Sequence, residues 1–283
     1  MTAGSDARAG ARPVTEIRSG DGIFDLELDS VWEYRELLFF LVWREIKIRY
    51  KQAGLGIAWA IIQPVLAVLI FTAVFGNFAR MPSEGLPYPV FALAAVLPWT
   101  YFAEALRRSA TGLVSDAELV RKIYFPRLVI PLAGITSPLI DFLFGLIILV
   151  ALMAWHRIAP TWSLLLLPFW LMLTMALALA ISLWLGPINV RYRDIMHTLP
   201  FVIQVWMYAT PIVYPLSMVP ARWQALYSFN PMVGIIEGFR WSLLGTGRPD
   251  TTAIAISLIV ISIVLFGGLL FFRRAERSFA DVI

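Results

Sequence analysis

The chain has 283 residues, 59% of them hydrophobic and 15% charged. A soluble domain is about half apolar and about a quarter charged, so a freely soluble globule is excluded. There is no cysteine, and the two histidines, His156 and His197, stand far apart, so neither a disulfide framework nor a metal cluster is expected. The net charge of +4 says less than where the charges fall.

Residues 1–30 hold Arg8, Arg12 and Arg18 but no apolar signal-peptide core, and their Gly, Ala, Ser and Asp content predicts a flexible tail. Residues 31–52, VWEYRELLFFLVWREIKIRYKQ, come next. The longest apolar run there, Leu37–Trp43, is too short to cross a membrane. Trp32, Phe39, Trp43, Ile46 and Tyr50 recur at helical spacing, and Glu45 and Arg49 stand four apart, as an ion pair on one helix face would. An amphipathic helix lying in the membrane interface fits this profile, although the alternation Ile46–Tyr50 also suits a strand.

Residues 53–283 read as a transmembrane domain, and the whole as an all-α integral membrane protein with six spans. They are expected at 57–76, 89–106, 128–154, 163–186, 199–216 and 252–272, each near or above the roughly 18 apolar residues needed to cross hydrocarbon. Three polar stretches interrupt them: 107–127, 187–198 and 217–250. In the last, short apolar pieces are broken by Pro220, Asn230-Pro231, Gly234, Gly238 and Gly245. Backbone that enters a membrane without crossing must be covered by protein or line a wet cavity. The half-helices between Pro231 and Leu244 are therefore expected to re-enter the outer leaflet, with an amphipathic surface loop as the alternative.

Basic residues set the orientation. Arg35, Arg44, Lys47, Arg49 and Lys51 before the first span, Arg107, Arg108, Arg121, Lys122 and Arg127, then Arg191 and Arg193, and finally Arg273, Arg274 and Arg277 all fall on one side. They outnumber Arg80, Arg157, Arg222, Arg240 and Arg248 on the other. Both termini and the stretches 107–127 and 187–198 are therefore expected in the cytoplasm.

Within the first of these stretches, LVSDAELVRKIYFPR opens with Ser115 and Asp116, good helix N-caps, and places Glu118 in the first turn. Leu119, Val120 and Ile123 give a short apolar stripe, Arg121 and Lys122 close the turn, and Phe125-Pro126 ends it. A short helix with charged ends, held between two spans, can serve as a handle for a soluble partner. The same residues also fit an ordinary charged loop. Two carboxylates fall within spans, Glu104 near a cytoplasmic end and Asp141 near the middle of the third. A charge at mid-membrane costs about 3 kcal/mol and must find a partner. Asp141 has no obvious one in the sequence; a proton-relay or catalytic acid and a structural, hydrogen-bonded carboxyl are both open. Glu237 and Arg240, three apart, can pair with each other.

Four blocks carry a resemblance: REIKIRYKQAGLGIAWAIIQP (Arg44–Pro64), LVRKIYFPR with LVIPL (Leu119–Leu132), NVRYRDIMHTLPFVIQVWMYATPIVYP (Asn189–Pro215) and FNPMVGIIEGFRWSLLG (Phe229–Gly245). In this order the chain resembles the membrane permease subunit of ABC transporters that export O-antigen, teichoic acid and capsule-type polysaccharides. It departs from the family in having Asp116 where Asn is frequent. The resemblance implies a homodimer in a bacterial inner membrane, with two separate ATPase chains and a lipid-linked polysaccharide as cargo. It implies that Leu113–Phe125 is the coupling helix, with Asp116, Glu118, Leu119, Arg121, Lys122, Ile123 and Phe125 at the ATPase, and that Arg191, Arg193 and Asp194 form a second contact. Residues 31–52, with Trp43, Glu45, Arg49 and Tyr50, would be the interface helix. Trp59, Phe71, Trp206, Tyr208 and Tyr214 lie in the first and fifth spans, which line the conduit in related exporters, where aromatic faces suit a sliding sugar chain. Asn230, Pro231, Glu237 and Arg240 would belong to an outer gate.

No Gly-x-x-x-x-Gly-Lys-Ser/Thr occurs, and none of Lys47, Lys51 and Lys122 follows a glycine. ATP and Mg are therefore expected on the partner ATPase, with no cofactor, metal or catalytic residue on this chain and no nucleic-acid role. A permease for a drug, lipid or teichoic-acid-type polymer, a membrane-embedded transferase and a passive channel are the competing readings.

Overall fold

A computed structural model describes residues 28–51, 58–246 and 251–282. The rest of the predicted N-terminal tail, the start of the first span and Arg248 lie outside the described residues. The described chain is built of helices: α1 Leu28–Glu33, α2 Arg35–Lys51, α3 Ala58–Phe71, α4 Tyr88–Ser115, α5 Ala117–Lys122, α6 Val129–Thr136, α7 Leu139–Trp155, α8 Leu167–Arg191, α9 Ile195–Tyr208, α10 Ala221–Ser228, α11 Pro231–Leu244 and α12 Thr251–Val282. A π-helical turn, Thr72–Phe78, prolongs α3, and the 3-10 turn Trp162–Leu166 leads into α8. The alternation at Ile46–Tyr50 is helical, within α2.

Five stretches among the described residues are long and apolar enough to cross a membrane: Ala58–Phe78, Tyr88–Ser115, Val129–Trp155, Trp162–Arg191 and Thr251–Glu276. The protein is an all-α, multi-pass membrane protein. Several boundaries differ from the sequence reading. The second and fourth spans run on as helix to Ser115 and Arg191, so Arg107 and Arg108 stand on α4 rather than in a loop. The third span is broken at Ser137-Pro138 into α6 and α7. In the expected fifth span only α9 is helical; it has 14 residues, about 21 Å of helix. It ends at Tyr208, and Pro211 and Pro215 follow in irregular backbone.

Helix α4 is the hub. In its most apolar stretch 78% of residues are buried, against 6% in α3. Its surface is rich in small side chains, including Ala94, Ala105, Ser109 and Ala110, all fully buried. Small residues let membrane helices approach closely, and hydroxyls hold them together. Ser109 Oγ donates to Ser182 Oγ on α8 at 2.7 Å, and Tyr101 OH donates to the Ile135 carbonyl on α6 at 3.0 Å. A Cβ added at Gly134 of α6 would stand 2.7 Å from the Ser109 backbone nitrogen. The sequence places glycine there because nothing larger fits.

Helix α11 is enclosed by α4, α8 and α12, with twelve of its residues buried, among them Met232, Ile235, Ile236 and Phe239. Asn230 caps its start, accepting from the Met232 N–H at 3.1 Å, and Gly245 ends it in the left-handed region. Asn230 reaches α9, accepting from Trp206 Nε1 at 2.9 Å, while the Trp241 carbonyl at the other end accepts from Ser163 Oγ at 3.0 Å. Helix α10 is the opposite case, with no buried residue.

Candidate functional site

One end of the bundle concentrates the charges. Helix α2 lies across α4, α6 and α7 there, and its polar side chains reach into the spans. Arg44 Nη2 donates to both carboxylate oxygens of Asp116, at 2.6 and 2.7 Å. Glu45 accepts from Arg108, and Arg49 and Tyr50 both engage Asp141. Glu104 gathers three guanidiniums: Arg107 at 2.8 and 2.9 Å, Arg108 at 2.6 Å and Arg49 at 3.5 Å. Four arginines thus face four carboxylates, and the cluster is neutral. Glu104 stands 11 residues before the end of α4, so the network reaches about 16 Å along that helix. Burial holds the Arg49 guanidinium below its ordinary value and pushes the Tyr50 hydroxyl up.

This arrangement corrects two expectations and meets a third. Glu45 and Arg49 do not pair along α2; each reaches across to another helix. Asp141 finds the partner that its place in a span demands: an arginine and a tyrosine from α2 satisfy it, as a carboxylate in an apolar span requires. Asp116 sits at the N-cap position of α5 but makes no side-chain cap, because its carboxylate is committed to Arg44.

Below α5 lies a second apolar cluster joining α2, α4, α6, α8 and α12 through Leu41, Leu113, Val120, Phe125, Val129, Ile130, Leu183, Phe272 and Phe279. Phe125, expected to point at a partner, is 1% exposed and anchors α5 to its own chain instead. Leu119 also packs against this cluster. The Arg127 N–H donates to Glu276 of α12 at 3.1 Å, tying the turn after α5 to the last helix. What the extended turn after α5 presents outward is Ile123 and Tyr124, 51% and 63% exposed, with Glu118, Arg121 and Lys122 of α5 beside them. Lys122 Nζ lies 2.7 Å from Glu118 and holds its carboxyl below the usual value. Tyr124 was missed by the sequence reading, although YFP spells one aromatic facing out beside one facing in. The segment Arg191–Asp194 is exposed, with Tyr192 next to Arg191.

The remaining predicted residues separate. Trp43 and Trp59 are exposed, on α2 and α3, and so is Tyr208 at the end of α9. Trp206 is turned inward, edge-on to Trp99 and Phe102 at 6.2 and 5.1 Å. Phe71 packs beside Phe75, against the cluster of Tyr88 and Phe91. Glu237 and Arg240 do pair, at 3.1 Å, but Arg240 does more. It is 2% exposed, stacks 3.8 Å from the Phe91 ring centre, and donates to the Pro211 and Ile212 carbonyls at 2.9 and 2.7 Å. It thereby satisfies backbone oxygens freed where α9 stops, a task that buried irregular backbone imposes. Asn230 and Pro231 start α11 at the level of Trp206.

Comparison with known proteins agrees with this architecture. The O-antigen export system permease protein RfbA of Myxococcus xanthus is 28% identical over 258 residues, covering 90% of this chain and 98% of that protein. A protein of the same name from Klebsiella pneumoniae is 26% identical, covering 88% of this chain and 95% of that one. The polysialic acid transport protein KpsM of Escherichia coli is 23% identical, covering 83% and 92%. The model of the ABC-2 type transporter family matches residues 36–244, from the start of α2 to the end of α11. The chain belongs to the ABC-2 type transporter family.

Proposed function

We propose that this chain is the membrane permease subunit of an ATP-driven exporter that carries a lipid-linked polysaccharide across a bacterial inner membrane. The observation that carries the reading is the form of α5 and the turn after it: an exposed tip of Ile123, Tyr124, Arg121 and Lys122 on a root clamped by Phe125 and by the Arg44–Asp116 pair. A tip that docks and a root that does not yield is what transmits a partner's motion to spans. The names of the relatives supply the cargo class.

In this reading the charged end faces the cytoplasm, by the excess of Arg and Lys there. Two copies of the chain sit on two copies of a separate ATPase, which carries ATP and Mg, since this chain has no phosphate-cradling Gly-Lys loop. Helix α9 with the irregular stretch to Pro215 makes the sixth crossing. Helices α10 and α11 enter and leave the outer leaflet and form the gate, locked by Arg240. The exposed faces of α3 and α9, with Trp59 and Tyr208, line the conduit between the copies.

Complementation tests the reading. A strain lacking this chain should lose its surface glycan and regain it when the chain is returned together with its ATPase. The purified permease alone should bind no ATP. Tight nucleotide binding by this chain, or unchanged surface glycan in its absence, would contradict it.

A further inference from the structure

At the end of the bundle opposite Asp116 there is a cavity of about 460 Å³, lined by Met81, Tyr214, Met218, Val219, Pro220, Trp223 and Tyr227. Its place is fixed by Tyr88, the first residue of α4, whose hydroxyl donates to the Val213 carbonyl at 2.7 Å. Three elements build it. The loop after the π-helical turn gives Met81, the backbone after α9 gives Tyr214, and α10 with the turn before it gives the rest. Gln224 Nε2 donates to the Val219 carbonyl at 2.9 Å and fixes α10 against that turn. The volume lies within the roughly 300–1,000 Å³ of small-molecule sites.

The lining chemistry is selective. Three aromatic rings meet there, and the Tyr214 and Tyr227 hydroxyls stand 3.1 Å apart. Among the described residues, no carboxylate, lysine or arginine lines it. Trp223 is 49% exposed, with the Arg222 guanidinium 5.8 Å from its ring centre. A ring face for C–H groups, beside hydroxyls that can both donate and accept, fits a pyranose. An acyl chain would gain nothing from the paired hydroxyls, and the interior of an acyl-chain site has no need of them.

We propose that this cavity is an exit subsite for one or two sugar units of the cargo, with Trp223 as the stacking platform and Tyr214 and Tyr227 as its hydrogen-bonding rim. This rests on the exporter reading above and deepens it. Neither Trp223 nor Tyr227 packs in the core, so substitutions there leave the bundle intact.

Photocrosslinking in cells tests it with the native glycan. A benzophenone amino acid is placed at Met218, 48% exposed in the cavity wall, and as a control at Ile147, 64% exposed on α7. Under illumination, Met218 should give a glycan-bearing adduct at least fivefold above Ile147. Trp223→Ala should lose most of it and Trp223→Phe should keep it. A Met218 adduct no stronger than that at Ile147 in cells that export normally overturns the subsite. So does an adduct with phospholipid only, or with a second copy of the chain only. A wild-type chain that restores no surface glycan would instead strike at the exporter reading itself, and is scored on the glycan alone, before any illumination.

Discussion

Arg44 and Asp116, 72 positions apart, are joined by two hydrogen bonds of 2.6 and 2.7 Å. They fasten α2 to the first residue of the turn into α5. Their side chains are 30% and 16% exposed, so solvent screens the pair only in part. We expect the interaction to contribute about 1 kcal/mol. Its larger effect should be on coupling. Arg44→Ala should lower glycan export several-fold with the protein still in the membrane. Exchange of the two charges, Arg44→Asp with Asp116→Arg, should recover a good part of it. Export by the double variant no better than by either single one would show that the two residues do not act as a pair.

Close helix packing makes a sharper statement at Gly134. A methyl group there meets the Ser109 backbone at 2.7 and 2.8 Å, and backbone cannot swing aside. Gly134→Ala should cost about 1–3 kcal/mol by overpacking. Gly186→Ala, whose added carbon would sit 3.5 Å from Leu113, should be close to neutral. The check is the melting temperature of the two variants in one detergent, and equal melting would remove the account of the α4–α6 contact.

Arg240 predicts a graded series. It is enclosed, and its removal leaves Glu237 and the carbonyls of Pro211 and Ile212 without their donor. Arg240→Met should destabilise by about 3–5 kcal/mol, the usual cost of breaking a buried ion pair from one side. Arg240→Lys keeps the charge but not the fork of donors, and should fall between. A melting temperature of Arg240→Met near wild type would mean that the turn after α9 holds itself.

On α5, the hydrogen bond from Lys122 keeps Glu118 below its ordinary carboxyl value, so the folded form binds its proton less readily than the unfolded one. That support is present above the ordinary value and is lost as pH falls through the lowered one. Both side chains are exposed, so the effect is local. A spin label at Ser115 should gain mobility in acid below the usual carboxylate range, and Glu118→Gln should show that mobility already at neutral pH. A label equally mobile in wild type and variant at neutral pH would show that the pair does not order α5.

Five of the six expected spans were legible because apolar length is a local property: each of those long runs is helical and long enough to cross a membrane. Helix ends were less so. Arg107 and Arg108 look like the start of a loop, yet Glu104, three and four residues back, pairs with both and carries α4 onward as helix. That signal was in the sequence. The partners of Asp141 were not, because Arg49 and Tyr50 lie 92 and 91 positions away and only the packing of α2 joins them. The segment between α4 and Pro126 was legible as a short helix, but not in which way each side chain faces. Phe125 turned inward, and Tyr124, one residue earlier, took the outward place. The proline-rich fifth span misled because its apolar length was right while its backbone, after Tyr208, needed Arg240 rather than helical hydrogen bonds.

In the proposed exporter, the exposed tip of Ile123 and Tyr124 after α5 seats a separate ATPase. Phe125→Ala is a poor test, since it opens a cavity in the chain's own core and is expected to cost about 3–5 kcal/mol. The direct measurement is recovery of the ATPase with an affinity-tagged permease carrying Ile123→Ala and Tyr124→Ala, alongside surface glycan in the complemented strain. Both side chains are more than half exposed, so the variant should fold and reach the membrane. The account predicts at least a tenfold loss of bound ATPase and loss of surface glycan, as expected when central apolar anchors of an interface are removed. Wild-type recovery of the ATPase, with wild-type surface glycan, would contradict it.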